Sequence, residues 1–184
     1  MKLLKINLSQ HQINGIIYKI RSYRCTMTRA ADLLRRLSNE GFVVPEQVKK
    51  AMLKVDIEDF TDYDVAPFYA DRPVPYIESN SGNIKTISAP HMLITLLHHM
   101  ELALGQEIIV LGCKGGYLSA LIATIVGEDG RVNVLDPSTE VVNHARERLS
   151  HWPTIEIRSV EDLEIAPIAF PGEFNRVILT GQIE

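Results

Sequence analysis

The sequence predicts an α/β fold built on a parallel sheet, and three observations carry that expectation. Short β-branched runs alternate with helical stretches through the second half of the chain. The first of those runs passes directly into a glycine-rich turn and a helix, and the second ends in an acid. With 46% hydrophobic and 23% charged residues in 184, there is enough apolar material to close a sizeable single core.

Taken in order, residues 1–25 hold two β-rich runs around Asn14-Gly15, a dipeptide that tolerates positive φ, and predict a small hairpin. From Thr28 onward Ala30, Leu33, Leu34 and Leu37 share one helical face, and Gly41 supplies a left-handed stop. A second helix, opened by Pro45, is lined by Val48, Met52 and Val55. Residues 60–87 are rich in Asp, Pro, Ser, Asn and Gly without a sustained period, which predicts a long irregular segment, of the kind that is usually functional or mobile. Ser88 then reads as the N-cap of a helix running to about Leu104 and closed by Gly105, with Leu93, Leu96, Leu97 and Met100 inward. The strands follow as IIVL at 108–111, VNVL at 132–135, IEI at 155–157 and VIL at 177–179. Between them lie a helix over 117–126, a turn at Glu128-Asp129-Gly130 and an amphipathic helix over 138–149.

The richest local feature is IIVLGCKGGY at 108–117, a buried strand entering a glycine turn. At such a junction a ligand meets a helix N-terminus, and glycine lets the backbone turn sharply and come close to it. Gly112, Gly115 and Gly116 suit the turn. Asp136, at the end of the second strand, stands where a carboxylate accepts hydrogen bonds from two ribose hydroxyls. The alternative is that Asp136 only caps the helix after Pro137. GCKGGY lacks the GxGxxG spacing of a pyrophosphate site, so a nucleoside without phosphates fits better.

Several function classes are excluded. A net charge of −4 offers no basic field for nucleic-acid phosphates or anionic lipid. Cys25 and Cys113 share no metal-ligand spacing, and the adjacent His98 and His99 point to different helix faces, so no metal site is expected. Lys5, Asn7, Ser9 and His11 interrupt the N-terminus before it reaches signal-peptide length, and no stretch is apolar for the roughly 20 residues of a membrane span. A cytoplasmic protein with reduced thiols, binding neither nucleic acid nor membrane, is expected.

The segment DRPVPYIESNSGNIKTISAPHM at 71–92 resembles the protein-L-isoaspartate O-methyltransferase family, with TISAPHM as its most specific motif. With RAADLLRRLSNEGFVVPEQVKKAMLKVDIEDF upstream and the glycine loop downstream, the resemblance covers about residues 28–180. It implies a Rossmann-like S-adenosylmethionine-dependent methyltransferase fold with a partial parallel sheet in the order 3-2-1-4 and an N-terminal helical region. The implied layout is an N-terminal extension (1–27), a helical and substrate-loop region (28–104) and a cofactor-binding region (105–184), together one domain.

The resemblance also implies roles. Ser88 becomes the active-site residue beside the transferred methyl group, and Thr86, Ile87 and His91 become substrate-binding positions. His91, in the first turn of its helix, is not expected to act as a base. Gly112, Cys113, Lys114, Gly115, Gly116 and Asp136 hold S-adenosylmethionine, and Glu161 in SVED is the candidate for adenine. The implied partners are isoaspartyl-containing peptides or proteins. A substrate carboxylate is already ionised at neutral pH, so in-line positioning supplies most of the catalysis. The family loop reads E-x-G-x-G-x-G, whereas here Val110 replaces the acid and Lys114 the middle glycine. Lys114 either pairs with the cofactor carboxylate or occupies cofactor space and opposes the sulfonium. Lys85 replaces a family Gln in a lengthened linker. A relative that keeps the fold as a binding or assembly module is the alternative function. The apolar fourth strand, with nothing to blunt its edge, predicts either self-association or a longer parent chain.

Overall fold

Four β-branched runs become the frame of the molecule because each alternates residues between two faces that both need cover. The computed structural model describes residues 26–79, 82–161 and 174–180. The hairpin expected over 1–25 lies outside the described residues. Strands β3 (Glu107–Leu111), β4 (Arg131–Asp136), β5 (Ile155–Ser159) and β6 (Arg176–Leu179) form a parallel sheet in the order β5-β4-β3-β6. That is the expected order 3-2-1-4. Register runs from Glu107 opposite Arg131 to Leu111 opposite Leu135, and from Ile108 opposite Arg176 to Leu111 opposite Leu179.

Before the sheet come helix α1 (26–39), α2 (Glu46–Lys54), a 3-10 turn (Ile57–Phe60) and the short α3 (Ala66–Tyr69). Gly41, at φ +97°, ends α1 as predicted, with Phe42 N–H reaching the Leu37 carbonyl at 3.0 Å and Gly41 N–H the Ser38 carbonyl at 3.2 Å. Leu33, Leu34 and Leu37 of α1 and Val48, Ala51 and Met52 of α2 enter one core with Ile108, Val110, Val132, Val134 and Ile178 from one sheet face. Each such side chain contributes roughly 1.5–3 kcal/mol when fully buried. Helix α5 (Tyr117–Val126) lies in the middle of this core and buries nine of its ten residues, which is why YLSALIATIV shows almost no polar face. Helix α6 (Thr139–Arg148) closes the layer, its N-cap Ser138 Oγ accepting from Val141 N–H.

Three local expectations are corrected. Residues 60–87 are not irregular: Val74–Glu78 (β1) and Ile84–Ile87 (β2) pair as an antiparallel hairpin. The pattern was hidden because Pro75 sits inside β1 and a register shift between Pro75 and Ile77 breaks the period of two. Ser88 caps nothing, since α4 runs Pro90–Met100 with Ala89 at its N-cap and no side-chain cap bond. Proline prefers the first helical position, so TISAPHM enters the helix two residues later than the serine alone indicates. Helix α4 ends at Met100 rather than near Leu104, because Glu101 turns left-handed at φ +46°. Among the described residues no helix is long and apolar enough to cross a membrane.

Candidate active site

The strand order reverses between β3 and β6, and ligands in open α/β sheets bind at the carboxyl ends of strands beside such a reversal. A cleft of about 150 Å³ opens there. Its walls come from four places: Ile87 and Ser88 at the end of the hairpin, Met92, Leu93 and Leu96 on α4, Lys114 and Leu118 after β3, and Leu179 and Thr180 at the end of β6. The chain therefore gathers TISAPHM and the glycine loop into one concavity.

The loop is held from beneath. Gly112 N–H donates to the Leu135 carbonyl at 2.7 Å, and Cys113 N–H donates to Asp136 Oδ2 at 2.8 Å. The other carboxylate oxygen, Oδ1, accepts from Ser138 N–H at 2.9 Å. Asp136 is thus a buried brace between the loop after β3 and the turn after β4. The bond to Ser138 N–H accords with the capping alternative, and the bond to Cys113 N–H adds a link to the loop that neither reading of the sequence gave. A carboxylate has about four acceptor sites, so further capacity remains beyond the two N–H groups.

Thr180, absent from the sequence reading, ties the fourth strand to the loop. Its hydroxyl lies 3.0 Å from the Leu111 carbonyl and 2.9 Å from that of Gly112. The available signal was its place one residue beyond VIL, at the strand end facing the reversal.

Packing within the protein by itself requires glycine at two positions of the loop. Gly115 has φ +74°, and a Cβ there would lie 3.0 Å from Tyr76 Cγ and 3.1 Å from Ile87 Cγ1. A Cβ on Gly116, at φ +91°, would lie 2.9 Å from Leu149 Cδ1. Protein therefore fills the space those glycines leave free, and the hairpin sits directly on the loop. Lys114 has φ +39° and is a non-glycine residue in left-handed backbone, at the position where the family pattern carries glycine.

The remaining expected site residues are placed unevenly. Ile87 is buried and lines the cleft, whereas Thr86 is exposed on β2 opposite Pro75. His91 is held outside the lining: its N–H donates to Asp71 Oδ1 at 2.9 Å and its ring Nδ1 lies 2.8 Å from Asp71 Oδ2. That clamp fastens the start of α4 to the segment before the hairpin and explains His91 without substrate. Glu161 is exposed beyond β5 and is not among the cleft residues. Cys113 is buried; desolvation and then the Asp136 carboxylate push its thiol far above the usual range, which disfavours the thiolate. Tyr76 is likewise kept neutral, by burial first and then by Asp136. Its ring lies 5.1 Å from that of His144, whose own pKa is lowered by burial.

Comparison with known proteins follows the same lines. The family model described as Protein-L-isoaspartate(D-aspartate) O-methyltransferase (PCMT) matches residues 28–161. A protein-L-isoaspartate O-methyltransferase of Pyrobaculum islandicum is 35% identical over 133 residues, covering 70% of this chain and 61% of its own length. That of Ignicoccus hospitalis is 35% identical over 119 residues, 64% of this chain and 54% of its own. The chain thus spans little more than half the length of these relatives. A solved protein-L-isoaspartate O-methyltransferase superposes with TM-score 0.69 at 19% identity, covering 82% of this chain and 47% of that one. A putative Plasmodium falciparum enzyme of the same name, in complex with S-adenosyl-L-homocysteine, gives 0.62 at 24% identity, over 80% and 71%. These likenesses establish the fold.

Proposed function

The chain belongs to the protein-L-isoaspartate(D-aspartate) O-methyltransferase family, and from that premise we propose that it carries the methyl-transfer cleft of an S-adenosylmethionine-dependent enzyme acting on isoaspartyl residues of damaged proteins. One observation carries the proposal: Ser88 of TISAPHM and the loop after β3 line the same cleft at the strand-order reversal. The relatives' shared name supports the substrate class, and the S-adenosyl-L-homocysteine in the Plasmodium falciparum complex supports the cofactor class.

The residues present fit such a cofactor. Gly112, Cys113, Gly115, Gly116 and Asp136, with acceptor capacity left on its carboxylate, would hold it. When bound, S-adenosylmethionine supplies a methyl group already activated by its sulfonium. The protein's own part is then positional. Ser88 would place its hydroxyl on the substrate carboxylate, while Ile87, Met92, Leu93 and Leu96 give the cleft apolar walls. Effective molarity from such positioning reaches roughly 7–11 kcal/mol in favourable cases, and no general base is needed. Methylation of an isoaspartyl side carboxyl gives an ester that closes to a succinimide as the backbone nitrogen displaces methanol, and water then reopens the ring partly as aspartate. The proposed setting is the cytoplasm, with protein or peptide substrates and neither nucleic acid nor membrane involved.

Calorimetric titration with S-adenosylhomocysteine and S-adenosylmethionine, together with transfer of labelled methyl to an isoaspartyl peptide, tests the proposal. Binding at micromolar concentrations and base-labile label on the peptide are expected. Absence of both removes the reading.

A further inference from the structure

Lys114 is the one charged side chain among the described residues that line the cleft; its other walls are Ile, Leu and Met side chains with two hydroxyl residues. No carboxylate among the described residues pairs with it, although elsewhere Arg148 pairs with Asp62 and Arg158 with Glu156. Thr180 cannot balance it, because that hydroxyl faces the Leu111 and Gly112 carbonyls. An ammonium in an apolar concavity attracts an anion more strongly than it would in water. The lysine is also held in backbone geometry that glycine adopts without strain, φ +39°. A position where glycine is the easier residue carries instead the only cation among the described residues of the cleft.

Of the two molecules that meet in this cleft, S-adenosylmethionine carries an excess positive charge, from its sulfonium and ammonium against one carboxylate. A lysine in the same concavity opposes that net charge. The isoaspartyl side chain brings a single uncompensated negative charge, which the lysine complements. From this complementarity we infer that Lys114 binds the side carboxylate of the substrate, in the same cleft as Ser88, and makes the cleft selective for a carboxylate over the corresponding amide. The inference rests on the substrate reading above. Lys114 is then a specificity-determining residue: it pairs with the carboxylate, gives up no proton and leaves the oxygen's remaining lone pairs available.

Binding of a labelled isoaspartyl peptide, read by fluorescence anisotropy at low ionic strength, tests this without methyl transfer. The comparison peptide has the same sequence with the side carboxylate replaced by a carboxamide. The wild-type chain should bind the carboxylate peptide at least tenfold more tightly, with the difference shrinking as salt is added. Lys114→Gln should remove most of that discrimination while S-adenosylhomocysteine affinity, measured by calorimetry on the same preparation, stays within about twofold. Lys114→Arg should keep it. Unchanged discrimination in Lys114→Gln overturns the inference, as does a tenfold loss of S-adenosylhomocysteine affinity with peptide binding intact, which would put Lys114 on the cofactor. Equal binding of the two peptides by the wild-type chain also overturns it. A chain that discriminates between the peptides but neither binds S-adenosylhomocysteine nor transfers methyl would sustain this inference while removing the methyltransferase reading.

Discussion

Replacing Lys114 by glycine and, separately, by alanine isolates the strain in the loop. Both changes remove the ammonium and most of the side chain, so their difference reports the backbone. At an ordinary helical position alanine is the more stable residue by roughly 0.5–1 kcal/mol. Lys114 has φ +39° and lies between Cys113, at φ −70°, and Gly115, at φ +74°. In left-handed backbone a Cβ costs about 1–2 kcal/mol, which only the alanine variant keeps. Against this, glycine gives the unfolded chain extra entropy of about 0.4–1 kcal/mol. The balance favours Lys114→Gly over Lys114→Ala by about 0.5–1 kcal/mol, or roughly 1–4 °C in Tm for a chain of this size. Urea denaturation of the two variants under identical conditions measures the difference. An alanine variant equal to or more stable than the glycine variant would mean that residue 114 is not left-handed, and the account of the loop would fail.

Three further outcomes are expected. Ser88→Ala should leave the urea midpoint nearly unchanged, because no side-chain cap bond forms at the start of α4, while methyl transfer to an isoaspartyl peptide falls at least a hundredfold; a stability loss near 1 kcal/mol would restore the capping role. Asp136→Ala breaks two charge-assisted hydrogen bonds, to Cys113 N–H and Ser138 N–H, each worth about 1.5–3 kcal/mol. The variant should melt far below the wild type even without ligand, and a loss under 1 kcal/mol would show that Asp136 is not a brace. His144 has its pKa lowered, chiefly by burial, so the unfolded chain takes up the proton first as pH falls. Its contribution is therefore complete above the unfolded value of about 6.5 and is lost as pH drops through that value toward the lowered one. Denaturation at pH 7.5 and 5.5 should show a smaller drop for His144→Gln than for the wild type; an equal drop would place the titration elsewhere.

Local sequence determined the parallel strands, their helices and the glycine loop, because each is a short-range consequence of residue type. β-branched runs at 108–111 and 132–135 became β3 and β4, Gly41 stopped α1, and Ser138 capped α6. TISAPHM marked Ser88 because its seven residues are distinctive as a string. The strand order 3-2-1-4 came with the resemblance rather than from any single run, and the structure bears it out.

What the string left open depended on residues far apart in sequence. The hairpin at 74–87 is held partly from outside, Thr61 Oγ1 donating to the Pro75 carbonyl at 2.7 Å, and no alternation within the segment announces that bond. Tyr76, Ile87 and Leu149 fill the space on the Cβ side of Gly115 and Gly116, a packing demand that the loop's own residues do not announce. Asp136 serves two backbone segments at once, and His91 answers to Asp71 across 20 residues. Thr180 belongs to the cleft only because β6 lies beside β3. Sequence by itself determined which elements form, since propensity, turn chemistry and hydrophobic period act within a few residues. Tertiary structure alone decided which side chains share the cleft, because that depends on strand adjacency and on packing, whose energy is set by neighbours that only the folded chain brings together.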